Sequence, residues 1–395
     1  MASRAFASVE ARTENIDQGY HPWPERSSTR RDEDSPSKEH EDAGLVILTG
    51  CQRSGTHLFA RAIEKRADIM APSETRFPTL FSSCYRWAGD LNDRAARERL
   101  VRAIFVFLWI WENRRGSSED IEKVVPYSLV SLVDRFDFIV DNSRSYGDIL
   151  RLMFQLFGEK FEKSLVMDKI VYYHPEDISD LMQHLPEDTK VVHIVRDGRD
   201  VYLSWTNVWF GASGIVEGAR RWRAHVLEYA GLARLGEERF REIRYEDLLR
   251  EPAAVCDEVA RWIDPGAHAA AGDASHGKGE ALSVREGYEN LSRPLMSSNS
   301  NKWREKMSES DVALFEHLAS DALARFGYDV DGPSADAGRL TLETVRSYAR
   351  NLTRATTYKR WVLFAVPVFL LASDRLGLPF SRRMFRKVQG KVRAA

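Results

Sequence analysis

Gly50 and Gly55 stand five residues apart in the stretch LVILTGCQRSGTHLFARAI, residues 45–63, with Arg53 and Ser54 between them. Glycines let main-chain N–H groups converge on an anion. Hydroxyls on Ser54 and Thr56 add donors, and Arg53 adds a permanent charge. The set suits a phosphate-like group. A nucleoside-triphosphate loop of this spacing continues from its second glycine with Lys and then Ser or Thr. Here Thr56 and His57 follow instead. A kinase using ATP or GTP is the first reading of the spacing, and the missing lysine is what it leaves unexplained. A ligand-free strand-to-helix turn is the plainer alternative.

A second set lies in VVHIVRDGRDVYLSW, where Arg196 ends an apolar run and Ser204 follows eight residues later. An arginine with a hydroxyl facing back toward the strand end is a good pair for a terminal phosphate. The competing reading is a structural ion pair between Arg196 and Asp197. Three histidines are alternative proton acceptors. His193 sits within an apolar strand and reads as a core residue. His57 falls on the first turn of a helix, and His174 precedes Pro175 in a loop.

The elements that must position these groups follow from periodicity. GLVILTG is a short, continuous apolar run, as expected of a strand buried on both faces. FDFIVDN, SLVMDK, KVVHIVRD and FREIRYEDL read the same way. Between them, SGTHLFARAIEKR, RERLVRAIFVFLWIWENRR, YGDILRLMFQLFGEKF and EGARRWRAHVLEYAGLARLG carry helical spacing. Strands alternating with helices predict an α/β fold, a P-loop-type, mostly parallel sheet of about five strands flanked by helices. Ligands in such sheets bind at the carboxyl ends of the strands, where both sets fall.

RSGTHL after one strand and RDGRDVYLS after a later one resemble the two signature loops of sulfotransferases that use 3′-phosphoadenosine 5′-phosphosulfate (PAPS). The resemblance extends toward the tyrosylprotein branch and its bacterial relatives. SETRF places Glu74 21 residues after Arg53, MDKI supplies Lys169, RYEDL supplies Tyr245, and RPLMSSNSNKW carries Pro294 and Lys302. It covers about residues 44–310. It implies that Arg53, Ser54, Gly55, Thr56 and His57 hold the 5′-phosphosulfate, and that Arg196 and Ser204 hold the 3′-phosphate. It also implies that Tyr245 and Lys302 contact the nucleotide, Lys169 and Arg53 stabilise the transition state, and Glu74 is the base. Arg76 would orient Glu74 or meet an acidic acceptor. No metal is implied. His57 replaces a second Thr of that branch, Val208 replaces a basic residue, and Gly287 stands nearest its transition-state serine. The resemblance implies a hydroxyl acceptor, on a glycan, lipid, phenol or tyrosine. A small-molecule kinase with a degenerate loop and a noncatalytic nucleotide-binding scaffold are the rival classes.

The bulk composition agrees with an enzyme-sized core: 395 residues, 43% hydrophobic, with ten Trp, 19 Phe and 13 Tyr. A net charge of −2 gives no global pull toward nucleic acid. Cys51, Cys84 and Cys256 are too few and too scattered for a disulfide framework or a zinc site. Without a secretory apolar region the expected setting is cytoplasmic. Residues 1–43 read as a disordered tail, 44–332 as the sulfotransferase domain with a mobile loop at 265–300, and 333–395 as a C-terminal helical segment. In the last, WVLFAVPVFLLA (361–372) precedes Asp374 and then seven basic residues with no acid. Two readings stand side by side: an interfacial anchor on the inner face of an anionic membrane, or a helix buried against the domain with a solvated basic tail.

Overall fold

Five parallel strands frame the molecule: β1 (Gly44–Gly50), β2 (Ile69–Met70), β3 (Leu165–Ile170), β4 (Lys190–Val195) and β5 (Phe240–Arg244), in spatial order β2-β3-β1-β4-β5. The computed structural model describes residues 44–72, 75–113, 125–171, 175–208, 211–265, 299–330 and 356–394. The expected N-terminal tail, Glu74, His174, Gly287, Pro294 and nearly all of the 265–300 loop lie outside these residues.

The helices are α1 (Thr56–Ile63), α2 (Phe77–Ser82), α3 (Arg94–Asn113), α4 (Phe136–Asn142), α5 (Tyr146–Lys160), α6 (Pro175–Met182), α7 (Gly198–Trp205), α8 (Ile215–Ala230), α9 (Tyr245–Arg250), α10 (Pro252–Ile263), α11 (Trp303–Lys306), α12 (Glu309–Arg325), α13 (Thr356–Arg375) and α14 (Phe380–Ala394). Alternate residues of β1 serve opposite faces of the sheet. Val46 and Leu48 pack with Phe59 and Ile63 of α1 and Val259 of α10. Leu45 and Ile47 share a core with Ile104 of α3 and Phe154 of α5. Burial on both sides is why β1 has no polar alternation. Leu48 is in register with Lys169, and Gly50 with Ile194, so the carboxyl ends of β1, β3 and β4 stand side by side.

One expected strand is a helix. FDFIVDN forms α4, burying Phe136, Ile139 and Val140 while Phe138 is exposed. Positions i, i+3 and i+4 share one face of a helix, and in a run this short that spacing also reads as a continuous apolar strand. The fifth strand is instead β2, whose two residues are too few to leave a periodic signature.

At the C-terminus, α13 continues through Pro367 and past Asp374 to Arg375. Asp374 is buried and ion-paired with Arg102 of α3 and Arg382 of α14. Leu370 and Leu371, with Phe385 and Val388 of α14, enter the core that holds Phe105 and Phe136. The Phe385 ring centroid lies 4.7 Å from that of Phe136. For the described side chains of the apolar run, the inward face is therefore core. The side chains of residues 361–364 lie outside the description. Among the described residues no helix is long and apolar enough to cross a membrane.

Leu371→Ala is expected to destabilise the protein by about 2–5 kcal/mol, as for other fully buried leucines. Phe369→Ala, two residues earlier but half exposed, should cost under ~1 kcal/mol. Urea unfolding of the two variants checks this, and equal losses would mean that α13 does not pack with Leu371 inward.

Candidate active site

β1 ends in Gly50, where a side chain would collide with the Ile194 carbonyl of β4. The chain then turns, with the Ser54 N–H donating to the Cys51 carbonyl at 3.0 Å. Arg53 adopts a left-handed φ of 72°, and Gly55, at 90°, ends the turn as the N-cap of α1. A Cβ on Gly55 would run into the Tyr245 ring. No side chain caps α1, so the main-chain N–H groups of its first turn face the loop. Ser54 Oγ is buried and has no hydrogen-bond partner among the described residues. A left-handed conformation at a non-glycine residue costs on the order of 1–3 kcal/mol and persists where surrounding contacts fix it. At Arg53 those contacts are visible. Its Nε donates to Ser204 Oγ at 2.9 Å, and its carbonyl accepts from an Arg196 guanidinium N–H at 3.0 Å.

Arg196 leaves β4 almost fully buried. Its second terminal nitrogen donates to the Asn299 carbonyl at 2.8 Å, and its guanidinium lies 4.4 Å from the Tyr245 ring centroid. Asn299 in turn donates from Nδ2 to the Tyr245 hydroxyl at 2.7 Å and accepts from Lys302 Nζ at 2.6 Å. Arg53, Ser204, Arg196, Tyr245 and Lys302, spread over 250 residues of sequence, are thus joined into one cluster at the carboxyl edge of the sheet. Arg196 does not pair with Asp197. That carboxylate caps α7 and binds Arg199 at 2.8 Å.

A second layer fixes this cluster. Arg199 also pairs with Glu316 of α12, and its guanidinium stacks 3.7 Å from the Trp303 ring centroid. Asp200 accepts the Trp303 main-chain N–H at 3.0 Å. Burial pushes the Asp200 carboxyl above the usual carboxylate range, against the pull of Arg196. Glu246, raised likewise by burial, accepts the Asp197 N–H and the Tyr328 hydroxyl. Together these bonds clamp residues 299–306 to α7, which carries Ser204.

Pro72 and Thr75 are each bonded to β3. Lys169, buried on β3, donates from Nζ to the Pro72 carbonyl at 2.8 Å. Its neighbour Asp168 accepts from Thr75 Oγ1 at 2.8 Å. The Ala71 N–H donates to Glu64 at 2.7 Å. Arg76, left-handed at φ 55°, places its guanidinium 3.9 Å from the Trp111 ring centroid of α3. His57 is the second residue of α1, and Thr56, the first, is buried. His193 is a core residue. Its Nδ1 lies 3.1 Å from Glu242, the rings of Tyr229, Phe240 and Phe326 surround it, and burial lowers its pKa.

Three contributors escaped the sequence reading. Asn299 lies in SNSNKW, three residues before Lys302, and has no motif of its own. Asp200 was in view within RDGRD, but its bond to Trp303 spans 103 positions. Asp168 stood beside Lys169 and passed as a strand residue.

A sulfotransferase-family model matches residues 46–265, more than half of the chain. Among solved structures, the sulfotransferase domain of the Synechococcus PCC 7002 olefin synthase aligns at 16% identity and a TM-score of 0.46, over 75% of this chain and all of that one. The sulfotransferase domain from the curacin biosynthetic pathway aligns at 16% and 0.46, over 73% and 98%. Retinol dehydratase in complex with retinol and PAP aligns at 14% and 0.35, over 74% and 84%. No curated protein matches the chain.

Arg196→Ala should weaken binding of adenosine 3′,5′-bisphosphate about 10–100-fold, the equivalent of roughly 1.5–3 kcal/mol for a charged hydrogen bond. Adenosine 5′-phosphosulfate, which lacks the 3′-phosphate, should lose much less. Titration calorimetry with both ligands measures the difference. Equal losses would make Arg196 a purely structural residue.

Proposed function

Since the chain belongs to the sulfotransferase family, we propose that it transfers the sulfuryl group of PAPS to a hydroxyl of its acceptor. The observation that carries this reading is the joining of Arg53, Ser204, Arg196, Tyr245 and Lys302 through Asn299 at the carboxyl edge of the sheet. The residues present fit the donor. The buried Ser54 Oγ, unpartnered among the described residues, and the uncapped start of α1 offer donors to a phosphosulfate, and the lack of a side chain at Gly55 lets the Tyr245 ring pack directly against the loop.

Sulfuryl transfer, like phosphoryl transfer, passes through a loose, in-line transition state, so positioning and charge stabilisation do most of the catalytic work. Ser54, Gly55, Thr56 and His57 hold the phosphosulfate, while Arg196 and Ser204 hold the 3′-phosphate. Tyr245 and Lys302 complete the nucleotide site. Arg53 offsets negative charge on the bridging oxygen as adenosine 3′,5′-bisphosphate leaves. Lys169 adds its ammonium charge from the end of β3. Glu74 takes the proton of the attacking hydroxyl. No residue here is assigned to a metal.

For the acceptor, a glycan or membrane glycolipid hydroxyl is preferred to a phenol or a peptide tyrosine. Its support is the neighbourhood of the base segment. α13, from the basic C-terminus, packs on α2 and on the turn that carries Tyr85, Arg86 and the exposed Trp87. A cytoplasmic enzyme peripheral to a membrane is the location this reading carries.

Two measurements test the proposal. Adenosine 3′,5′-bisphosphate should raise the melting temperature, as a ligand that binds only the folded state does, and ATP with magnesium should not. Stabilisation by ATP alone would point to a kinase. Glu74→Gln should lower turnover by about 10²-fold or more and leave bisphosphate binding intact, the usual contribution of a general base. A variant keeping over about a tenth of the wild-type rate would assign the base to another group.

A further inference from the structure

Among the described residues, six large hydrophobic side chains are exposed, and four of them, Phe369, Leu376, Leu378 and Phe380, lie within twelve residues of sequence. They gather where α13 turns into α14. Gly377, at φ 75°, ends α13; the Leu378 N–H returns to the Ser373 carbonyl at 2.8 Å, and the Gly377 N–H to Asp374 at 3.1 Å. The rings of Phe369 and Phe380 meet edge to face with centroids 5.4 Å apart. This turn could be polar at no cost to the core, because Leu370, Leu371, Phe385 and Val388 already supply the inward face. Leu376 is 76% exposed, and clustered exposure of this kind marks a contact surface.

The charge around the turn has one sign. Arg375, Arg382, Arg383, Arg386, Lys387, Lys391 and Arg393 follow the buried Asp374, and no acid follows it. Arg382 pairs with Asp374 and Arg393 with Asp134. The other five have no carboxylate partner among the described residues, and all five are exposed. On α14 the apolar positions Phe385 and Val388 point into the core, so the basic residues occupy the outer face. In a chain of net charge −2, this places an apolar knob inside a local field of positive charge.

We infer that the α13–α14 hairpin seats the protein on an anionic lipid surface, with Leu376, Leu378, Phe380 and Phe369 entering the headgroup boundary and the basic face of α14 meeting lipid phosphates. The apolar run itself is not what inserts, since Leu370 and Leu371 face the core; the turn beyond it does. A bilayer fits both halves of the surface, because an interfacial segment combines buried apolar side chains with cations that match anionic headgroups. A soluble anion would satisfy the arginines and leave the leucines in water. The inference stands apart from the transfer chemistry, whose cluster lies on α7, α9 and the loop after β1.

Co-sedimentation of the full chain with phosphatidylcholine vesicles, with and without phosphatidylglycerol, tests it. Binding is expected only with the anionic lipid, and should fall as salt rises and shortens the screening length. Arg383→Gln/Arg386→Gln/Lys387→Gln should lower partitioning about 10²-fold, from about a fivefold loss per cation. Leu376→Ser/Leu378→Ser should lower it about tenfold or more while the charge is unchanged. All these positions are exposed, so both variants should keep the wild-type melting temperature and its rise with adenosine 3′,5′-bisphosphate. Failure of the full chain to bind anionic vesicles at low salt overturns the inference, as does unchanged binding by either variant. If sedimentation instead shows a dimer that Leu376→Ser/Leu378→Ser splits, and vesicles are ignored, the face joins two copies of the chain. The bisphosphate shift is read separately, so its loss would count against the donor assignment alone.

Discussion

The hydrogen bond from Arg196 to the main-chain carbonyl of Arg53 brings two loops, 143 residues apart, onto one point. Everything proposed for the site depends on it. The bond helps hold Arg53 in a left-handed conformation, which in turn sends the Arg53 side chain toward Ser204. The guanidinium that makes it also reaches Asn299, and through Asn299 the Tyr245 hydroxyl and the Lys302 ammonium. A planar donor with several N–H groups can hold this many partners at fixed angles; a lysine could not. The parallel sheet makes the bond possible, because Gly50 and Ile194 are paired in register and both loops leave the same edge.

Collecting cations at one edge has an electrostatic cost, and the fold offsets it selectively. Arg199 lies as deep as Arg196 but is neutralised by Asp197 and Glu316 and covered by Trp303. Arg196 and Lys302 instead hydrogen-bond neutral oxygens, and Asp200 reaches Arg196 only as a loose ion pair at 3.9 Å. The structural arginine is thus held by two close acids, whereas the residues proposed to bind the donor are held mainly by carbonyls. A neutral carbonyl orients a guanidinium without cancelling its charge, which leaves the charge for an anionic ligand. The buried Asp200 and Glu246, both raised by desolvation, show what it takes to keep acids beside that edge.

The C-terminal hairpin illustrates a similar division of labour between faces. Its inward side completes the core over α3 and buries an acid, Asp374, between two arginines. Removing one partner from such a buried set is costly because the remaining charge is stranded. Its outward side contributes nothing to that core and keeps both its leucines and its cations in solvent.

The strand, loop and helix of residues 44–63 were legible in the sequence, as were the loop and helix that carry Arg196 and Ser204, because a both-faces-buried strand and a glycine turn are written into neighbouring residues. The residue types proposed to hold a donor were legible for the same reason. Tertiary structure alone decided the rest. FDFIVDN became α4 because its apolar residues meet the α3 and α14 core on one helical face, a choice that a seven-residue run does not make by itself. Asp374 joined a helix because Arg102, 272 positions away, was there to neutralise it. Asn299 became the hub of the site only when Arg196, Tyr245 and Lys302 converged on it. Local sequence sets propensity and period, whereas a hydrogen bond or ion pair between distant residues exists only after the chain has closed the loops between them and removed the competing water.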